Sequence, residues 1–543
     1  MSGEKIWKVN VKDPKKTSGN WLEKVLATNR GLTNSKKLAD FLNPSINQII
    51  NIKLSDLTKG VSRVERAIKN REKIIVYSDY DADGICATAI MWETLNDLGA
   101  NVMPYVPHRI KEGYGLFIPA IEQLAKEGVS LIITVDHGVT AIKQTEAANK
   151  LGIDVIVTDH HVLPNNLPKS HALVHTTELC GAGVSWLFSY HLISKIKPSY
   201  KNQILEKLEL AAIATIADLV PLNPASRSIV KYGLKQLKNT KRPGMISLIK
   251  QSGISSDIGT YEIGHIIAPR INAMGRIEHG LDSLRLICAK NKRQADRLAS
   301  LLAQTNTKRQ DLTTGAIESA LLLVKEYHLI GVVSHESWHE GVIGLVASRL
   351  VEKHNKPMIV ISRGETYSKG SARSIPGFNI INAIRSSSEL LLDAGGHPMA
   401  AGFTIETRHI ESFTKKINVY AQTNLNPDLL NPVIKIDCTL EPQEINFETL
   451  KIIKKFEPYG VSNPEPTFTT KNTTVEDIQT VGGVGQHLKL LITGKVALWF
   501  NHGVESKELR PGYKIDLAFT INENHYNGNT SIQLKIIDLK INN

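Results

Sequence analysis

The stretch from residue 74 to residue 89 reads IIVYSDYDADGICATA. Its apolar start, 74–77, predicts a buried strand that delivers the chain into Asp79, Asp81 and Asp83, spaced two apart and closed by Gly84. Carboxylates so close together raise one another's pKa and repel unless positive charge sits among them, and a divalent cation is the simplest source of it. Hard oxygen ligands suit magnesium or manganese. A strand-to-helix turn also lies at the carboxyl edge of an α/β sheet, where ligand sites form. Two other readings compete. An EF-hand calcium loop needs a helix before it and a glutamate at its twelfth position, and neither is present. A merely solvated acidic turn fits poorly between apolar flanks.

The chain has 543 residues, enough for three or four domains with their own cores. With 42% hydrophobic and 22% charged residues it has the composition of a soluble globular protein. A formal net charge of +12 favours a polyanionic partner, nucleic acid first among them. Cys86, Cys180, Cys288 and Cys438 are far apart, which argues against a disulfide framework and against structural zinc. The first residues, MSGEKIWKVN, hold no apolar signal core, and no stretch approaches the roughly 18 apolar residues of a membrane span. A cytoplasmic protein with no membrane contact is expected.

Residues 1–58 read as a lysine-rich N-terminal extension packed onto the next domain. In 59–224, short apolar strands at 74–77, 101–106, 131–135 and 155–157 alternate with helical segments, the pattern of a mainly parallel sheet wrapped by helices. Three of these strand ends carry Asp79, Asp81 and Asp83, then Asp136, then Asp159, His160 and His161; a helical run over 208–217 ends at Asp218. One acidic element end is usually a helix cap. Four of them in one α/β domain point to convergence. Asp81, Asp83, Asp136, His160 and Asp218 exceed what one octahedral magnesium takes from protein. Two ions about 3.5–4 Å apart, sharing a carboxylate, would use them all and could activate water for attack on phosphorus. Histidine among the ligands leans the choice toward manganese.

In that order, SDYDADG, VDHG, TDHH and ADLVPL resemble the four motifs of the DHH phosphoesterase superfamily, and within it the chain is similar to the RecJ family of single-strand-specific 5′→3′ DNA exonucleases. The resemblance implies Asp81, Asp83, Asp136, His160 and Asp218 as metal ligands, with Asp136 as bridge and Asp79 joining or supporting them. It implies His161 on the scissile phosphate and Asp159 orienting the paired histidines. Residues 107–115, PHRIKEGYG, resemble the family's arginine-bearing loop, and Arg109 offers a planar fork for phosphate. The GAGV of 181–184 also matches the family and reads as helix packing. One departure is Ala225-Ser226-Arg227, where relatives carry an acidic residue and Asn before the Arg.

Residues 225–325 read as a helical connector. Inside it, APRINAMGR at 268–276 resembles a family segment that implies Arg270, Asn272 and Arg276 as phosphate contacts; Met274 replaces a small residue there, which bears on how closely a strand approaches. Residues 326–428 read as a second α/β module. Its GGHPMAAGF, 395–403, resembles the glycine-rich signature of the DHHA1 domain, whose backbone amides at Gly395 and Gly396 would cradle phosphate. By the same resemblance His397 contacts the scissile or adjacent phosphate, and Ser371 and Arg373, with Arg109 and one of Arg270 or Arg276, form a pocket for the 5′-terminal phosphate. Residues 429–543 turn to β character, with strands read at 433–436, 467–470, 487–492, 514–519 and 531–536 around a helix at 446–455, a C-terminal β-barrel of the OB-fold type. Trp499, Phe500, His525 and Tyr526 are candidates to stack bases, each equally suited to a core, and Lys489 and Lys495 to supply charge.

The fold class expected is therefore α/β: DHH domain, helical connector, DHHA1 domain, OB-fold. The function expected is a 5′→3′ exonuclease on single-stranded DNA in repair and recombination, using two Mn2+ or Mg2+ ions. A monomer is expected, with a helicase and a single-strand-binding protein as partners by family alone. Two rivals stay open: a DHH phosphodiesterase for short oligonucleotides or cyclic dinucleotides, and a non-catalytic relative that only binds DNA.

Overall fold

The computed structural model describes residues 5–12, 16, 20–255, 257–326, 328–526 and 528–542. It divides into two compact units, residues 44–426 and a unit built from both chain ends, 1–43 with 427–543.

The larger unit opens with a parallel sheet of β2 (Lys73–Tyr77), β3 (Asn101–Tyr105), β4 (Val129–Val135), β5 (Asp154–Asp159) and β6 (Ala172–His175), in the order β3-β2-β4-β5-β6. Ile74, Val76, Ile132, Ile133, Val155 and Ile156 are buried, as strands covered on both faces require. The chain leaves β2 toward one edge and returns on its other side as β4. Strand order thus reverses between β2 and β4, and ligands bind at such a reversal, outside the carboxyl ends of the strands. The loops of Asp79–Asp83 and of Asp136 follow these two strands. The helix Ala82–Asp97 is buried on nearly every face between the sheet and the helices Gly181–Ile196 and Leu208–Ala217, so its first turn is held by its whole length.

A run of helices then leads to the second sheet, ending in Lys292–Leu323, 32 residues and roughly 48 Å long at 1.5 Å per residue. That sheet runs β10 (Leu391–His397), β11 (Ala400–Glu406), β9 (Tyr367–Arg373), β8 (Met358–Ser362), β7 (Gly331–His335), with only β7 and β8 parallel.

In the smaller unit, β13 (Phe468–Val481), β14 (His487–Ile492), β15 (Lys495–Trp499), β17 (Asn529–Asn542) and β16 (Lys514–Tyr526) follow one another, and β16 pairs back with β13 to close a barrel. β12 (Val433–Thr439) joins β13, and β1 (Ile6–Val11) lies parallel to β12. The sequence pattern predicts no strand at β15 and an N-terminal extension packed onto the neighbouring α/β domain. Instead, Leu22, Leu26 and Phe41 share a core with Phe456 and Phe468, so the extension up to residue 43 belongs with the barrel. Thr493 and Gly494, both at positive φ, join β14 to β15 in a two-residue hairpin turn whose twist suits the strands.

Candidate metal centre and phosphate pocket

Asp81 caps the helix Ala82–Asp97, one carboxylate oxygen accepting from Asp83 N (2.9 Å) and Gly84 N (3.0 Å). That cap turns the loop back on itself, and a Cβ on Gly84 would come within 2.6 Å of the Asp79 Cβ, so the turn closes only with glycine. Asp83, one turn into the buried helix, accepts from the amides of Gly181 (2.7 Å) and Ala182 (2.6 Å) at the start of Gly181–Ile196. Asp136 sits at φ 67, a left-handed conformation that costs an ordinary residue about 1–2 kcal/mol. The bonds Asp136 N to Thr158 O (3.0 Å) and Thr134 Oγ1 to His137 O (2.7 Å) hold it there.

These elements bring six predicted ligands together in two groups. Asp79, Asp81 and Asp136 form one, Asp83, His160 and Asp218 the other, each with ligand atoms within 4.8 Å of one another. Asp136 Oδ1 stands 3.2 Å from His160 Nε2, at the seam between the groups. Among the described residues these two buried atoms have no hydrogen-bond partner. Burial, with the negative charge of Asp83 and its neighbours, pushes the carboxyls of Asp136 and Asp81 up, and Asp218 up to about 8; burial with Asp81 does the same to Asp79. Buried oxygens that repel one another, and an imidazole nitrogen aimed among them, fit a pair of divalent cations and little else.

Asp159 organises the histidines. Its Oδ1 accepts from the amides of His160 (2.7 Å) and His161 (3.2 Å) and lies 2.8 Å from His161 Nδ1, and its Oδ2 accepts from Val139 N (3.0 Å). Burial raises the Asp159 carboxyl, but the His161 hydrogen bond and these amides outweigh it and hold it below the usual range. Burial likewise opposes protonation of His161, and the Asp159 bond and charge win, raising it to about 9. His397, exposed at the end of β10, stacks on His161 with ring centres 6.4 Å apart and planes 11° apart. Gly396 lies at φ 142, where a Cβ would meet the Ala400 carbonyl oxygen at 2.4 Å, whereas the space beside Gly395 is open.

Beside the metal groups three arginines converge. Arg373 donates to Ser371 Oγ (3.3 Å) and Ala372 O (2.9 Å), with Gly344 close enough that a Cβ there would lie 3.0 Å from its guanidinium. Arg276 donates to Gly341 O (3.2 Å), and burial with the nearby charges of Arg109 and Arg373 lowers it to about 10. Arg109 lies over the Tyr80 ring, 5.0 Å from its centre. Among the described residues no ion pair joins any of the three to a carboxylate. Such a cluster suits a dianionic phosphate.

The remaining candidates fall elsewhere. Arg270 holds its guanidinium on Ile266 O (2.7 Å) and near Arg309. Asn272 accepts from Ala82 N (2.7 Å), so its oxygen anchors the loop that carries Asp79, Asp81 and Asp83. Met274 is buried in the core. At the Ala225-Ser226-Arg227 departure, Ser226 Oγ (3.0 Å) and Asn223 Nδ2 (2.7 Å) both donate to Glu178 O, steadying the approach to the helix that grips Asp83. In the barrel unit Trp499 is buried and stacked on His502, 3.9 Å between ring centres, which makes it core; Phe500 and His525 are exposed, and Lys489 and Lys495 are half-buried. The Tyr526 side chain lies outside the described residues.

Sequence reasoning missed Gly181, whose Cβ would fall 2.4 Å from Asp136 Oδ1, and Ala182, whose amide binds Asp83. It also missed His137, which is held by Tyr77 O (3.1 Å) and lowered to about 4 by burial, and Tyr114, whose hydroxyl donates to Asp136 O (3.4 Å). Only the match of GAGV, VDHG and the EGYG of 112–115 to family patterns hints at any of these.

The comparisons with known proteins agree with this layout. Residues 73–217 match the N-terminal domain of the DHH family, 324–423 the DHHA1 domain and 436–538 the RecJ OB domain. The single-stranded-DNA-specific exonuclease RecJ of Bacillus subtilis (strain 168) is 35% identical over 526 residues, 93% of this chain; the chain spans 65% of that protein's length. The protein of the same description from Thermus thermophilus is 32% identical over 494 residues, 90% of this chain and 71% of that protein. The crystal structure of RecJ in complex with Mn2+ from Thermus thermophilus superimposes with a TM-score of 0.85 at 28% identity, covering 98% of this chain and 79% of that one; its Mg2+ complex gives 0.79 over 98% and 78%. Similarity of that extent, running through all three domains in the same order, means that the chain belongs to the RecJ family of single-stranded-DNA-specific exonucleases.

Proposed function

We propose that the protein hydrolyses single-stranded DNA from its 5′ end, releasing 5′-mononucleotides, with two divalent cations, Mn2+ or Mg2+. The observation that carries this reading is the adjacency of two ligand groups, Asp79–Asp81–Asp136 and Asp83–His160–Asp218, to an arginine trio with no acidic partner among the described residues. Asp136, at the seam, would serve both ions. When bound, such ions polarise a phosphoryl oxygen and lower the pKa of water for attack in line with the leaving oxygen.

The chain's own residues do the rest. Asp159 accepts only, so the Nδ1–H of His161 is directed at it and the ring is fixed, and the raised value keeps a second proton on Nε2 to meet phosphate. His397, stacked on it from the second sheet, approaches the same oxygens from the other side of the cleft. Arg109, Arg276, Arg373 and Ser371 would take the two negative charges of a 5′-terminal phosphate, and a chain end captured there sets polarity, because internal phosphates carry one charge less. The barrel unit carries the family's OB domain, and such folds bind single strands.

The test is removal of a contact in the pocket. Arg373→Ala is expected to lower the preference for 5′-phosphorylated over 5′-hydroxyl ends while Mn2+ binding by calorimetry stays unchanged. An unchanged preference contradicts the pocket. A helicase and a single-strand-binding protein remain the partners this family reading favours.

A further inference from the structure

A guanidinium on a flexible stem recognises phosphate through its plane only where something holds that plane. Arg373 is held by Ser371 Oγ and Ala372 O, and Arg276 by Gly341 O. Arg109 has no such tie. Among the described residues its guanidinium joins no hydrogen bond and no ion pair; it lies over the Tyr80 ring, 5.0 Å from the ring centre. The backbone around it is fixed separately. Glu112 accepts from His108 N (3.1 Å) and from the Tyr105 hydroxyl (2.7 Å), Glu112 N donates to His108 O (2.8 Å), and the His108 ring meets that of His279 edge to face, centres 5.6 Å apart. What this leaves open is the direction of the Arg109 side chain, and the Tyr80 ring is the group that sets it.

Tyr80 is itself wedged in place. Its amide donates to Asp79 Oδ1 (2.6 Å). A Cβ on Gly275 would lie 2.4 Å from the Tyr80 carbonyl oxygen, so the helix that carries Arg276 closes on residue 80 only through glycine. A Cβ on Gly280 would lie 3.3 Å from the same oxygen and 3.4 Å from the Tyr80 Cβ. The ring is half-buried, and burial with the charges of Asp79 and Asp81 outweighs the opposing charges of Arg109 and Arg276, pushing the phenol up to about 12. The hydroxyl therefore keeps its proton, and among the described residues it makes no hydrogen bond. The ring face, rather than the hydroxyl, is what Tyr80 offers to a cation. Standing between Asp79 and Asp81, that face belongs to the same loop as two candidate metal ligands.

We propose that Tyr80 is a positioning residue for the 5′ end: its ring is the platform that holds the plane of Arg109 toward the terminal phosphate and registers that arginine to the loop of Asp79 and Asp81. This rests on the exonuclease reading and deepens it, by naming the group through which Arg109 becomes selective. It is tested with the full protein and Mn2+ on one single-stranded oligonucleotide bearing either a 5′-phosphate or a 5′-hydroxyl, by the ratio of kcat/KM for the two ends. Tyr80→Leu keeps bulk and removes the flat face. It is expected to lower the ratio roughly 3- to 30-fold, the range of a cation–π contact from exposed to desolvated sites, through the KM of the phosphorylated end and with Mn2+ affinity by calorimetry unchanged. Tyr80→Phe restores the ratio, because the ring carries the effect. In Arg109→Ala protein the ratio is already low and Tyr80→Leu lowers it no further, as residues that act through one another require. Tyr80→Met takes the place of the leucine variant if that one melts below wild type. An unchanged ratio in Tyr80→Leu, an equal loss in Tyr80→Phe, or a further loss in the Arg109→Ala background overturns the platform and leaves the exonuclease reading standing. Wild-type protein with no preference between the two ends overturns the platform together with the terminal-phosphate pocket of that reading.

Discussion

At Asp136 the side chain that joins the two ligand groups is aimed by backbone: a left-handed φ, two flanking hydrogen bonds, and the bare Cα of Gly181 against its carboxylate. Gly181→Ala should therefore push Asp136 aside and disturb the amide that binds Asp83 at once. We expect Mn2+ affinity, measured by calorimetry, to fall about 10- to 100-fold, the range for residues that orient ligands; an affinity within twofold of wild type would contradict the aiming role. The candidate ligands are legible because carboxylate and imidazole at strand ends advertise themselves by type. Gly181 and Ala182 are not, because they act through N–H groups that every residue carries. Asn272 has a second task that its sequence context does not signal: its oxygen accepts from Ala82 N, a long-range contact no local pattern announces. Arg373→Ala belongs to this scale too. Losing one charged hydrogen-bonding group costs about 1.5–3 kcal/mol, so the preference for a 5′-phosphate should fall about 10- to 100-fold.

Among elements, four separate ones must converge for the metal centre to exist, and without ions their carboxylates repel. The sign is set by the shifts. Asp79, Asp81, Asp136 and Asp218 have folded-state values above the usual carboxylate value near 4. Their contribution to stability is complete below that value and is lost as pH rises through the folded values, about 8 for Asp218. Protein in chelator should thus melt at a lower temperature at pH 8 than at pH 5.5, and the rise in melting temperature on adding Mn2+ should be larger at pH 8, since ions bind the ionised ligands. Equal Mn2+ effects at both pH values, by differential scanning calorimetry, would contradict the assignment. The parallel strands were legible as short continuous apolar runs. β15 was not: five residues after a two-residue turn, with Lys495 at its start, look like the tail of β14 until the pairing of Leu490 with Ala497 is seen.

For the whole molecule, the order of domains could be read from motifs, but the way the N-terminal residues close on the barrel could not, because β1 and Phe41 find partners more than 400 residues away. Pattern along a chain is silent about contacts of such separation. A practical consequence follows for truncation. Removing the chain after residue 426 alone strips Leu22, Leu26 and Phe41 of their core and should give aggregating protein; residues 44–426 should be soluble, keep metal-dependent cleavage and show weaker DNA binding with a flatter salt dependence. Aggregation of 44–426 with soluble 1–426 would contradict this division. The central claim is a two-metal centre that takes a single strand by its 5′ phosphate. It is tested most directly by digesting one single-stranded oligonucleotide, labelled separately at either end, with Mn2+ and with chelator, beside the Asp136→Ala protein. A two-metal centre of this kind should release the 5′ label at once as mononucleotide and shorten the 3′-labelled strand stepwise, with Mn2+ only and with intact Asp136 only. Release from the 3′ end, cleavage in chelator, or cleavage by Asp136→Ala would contradict it.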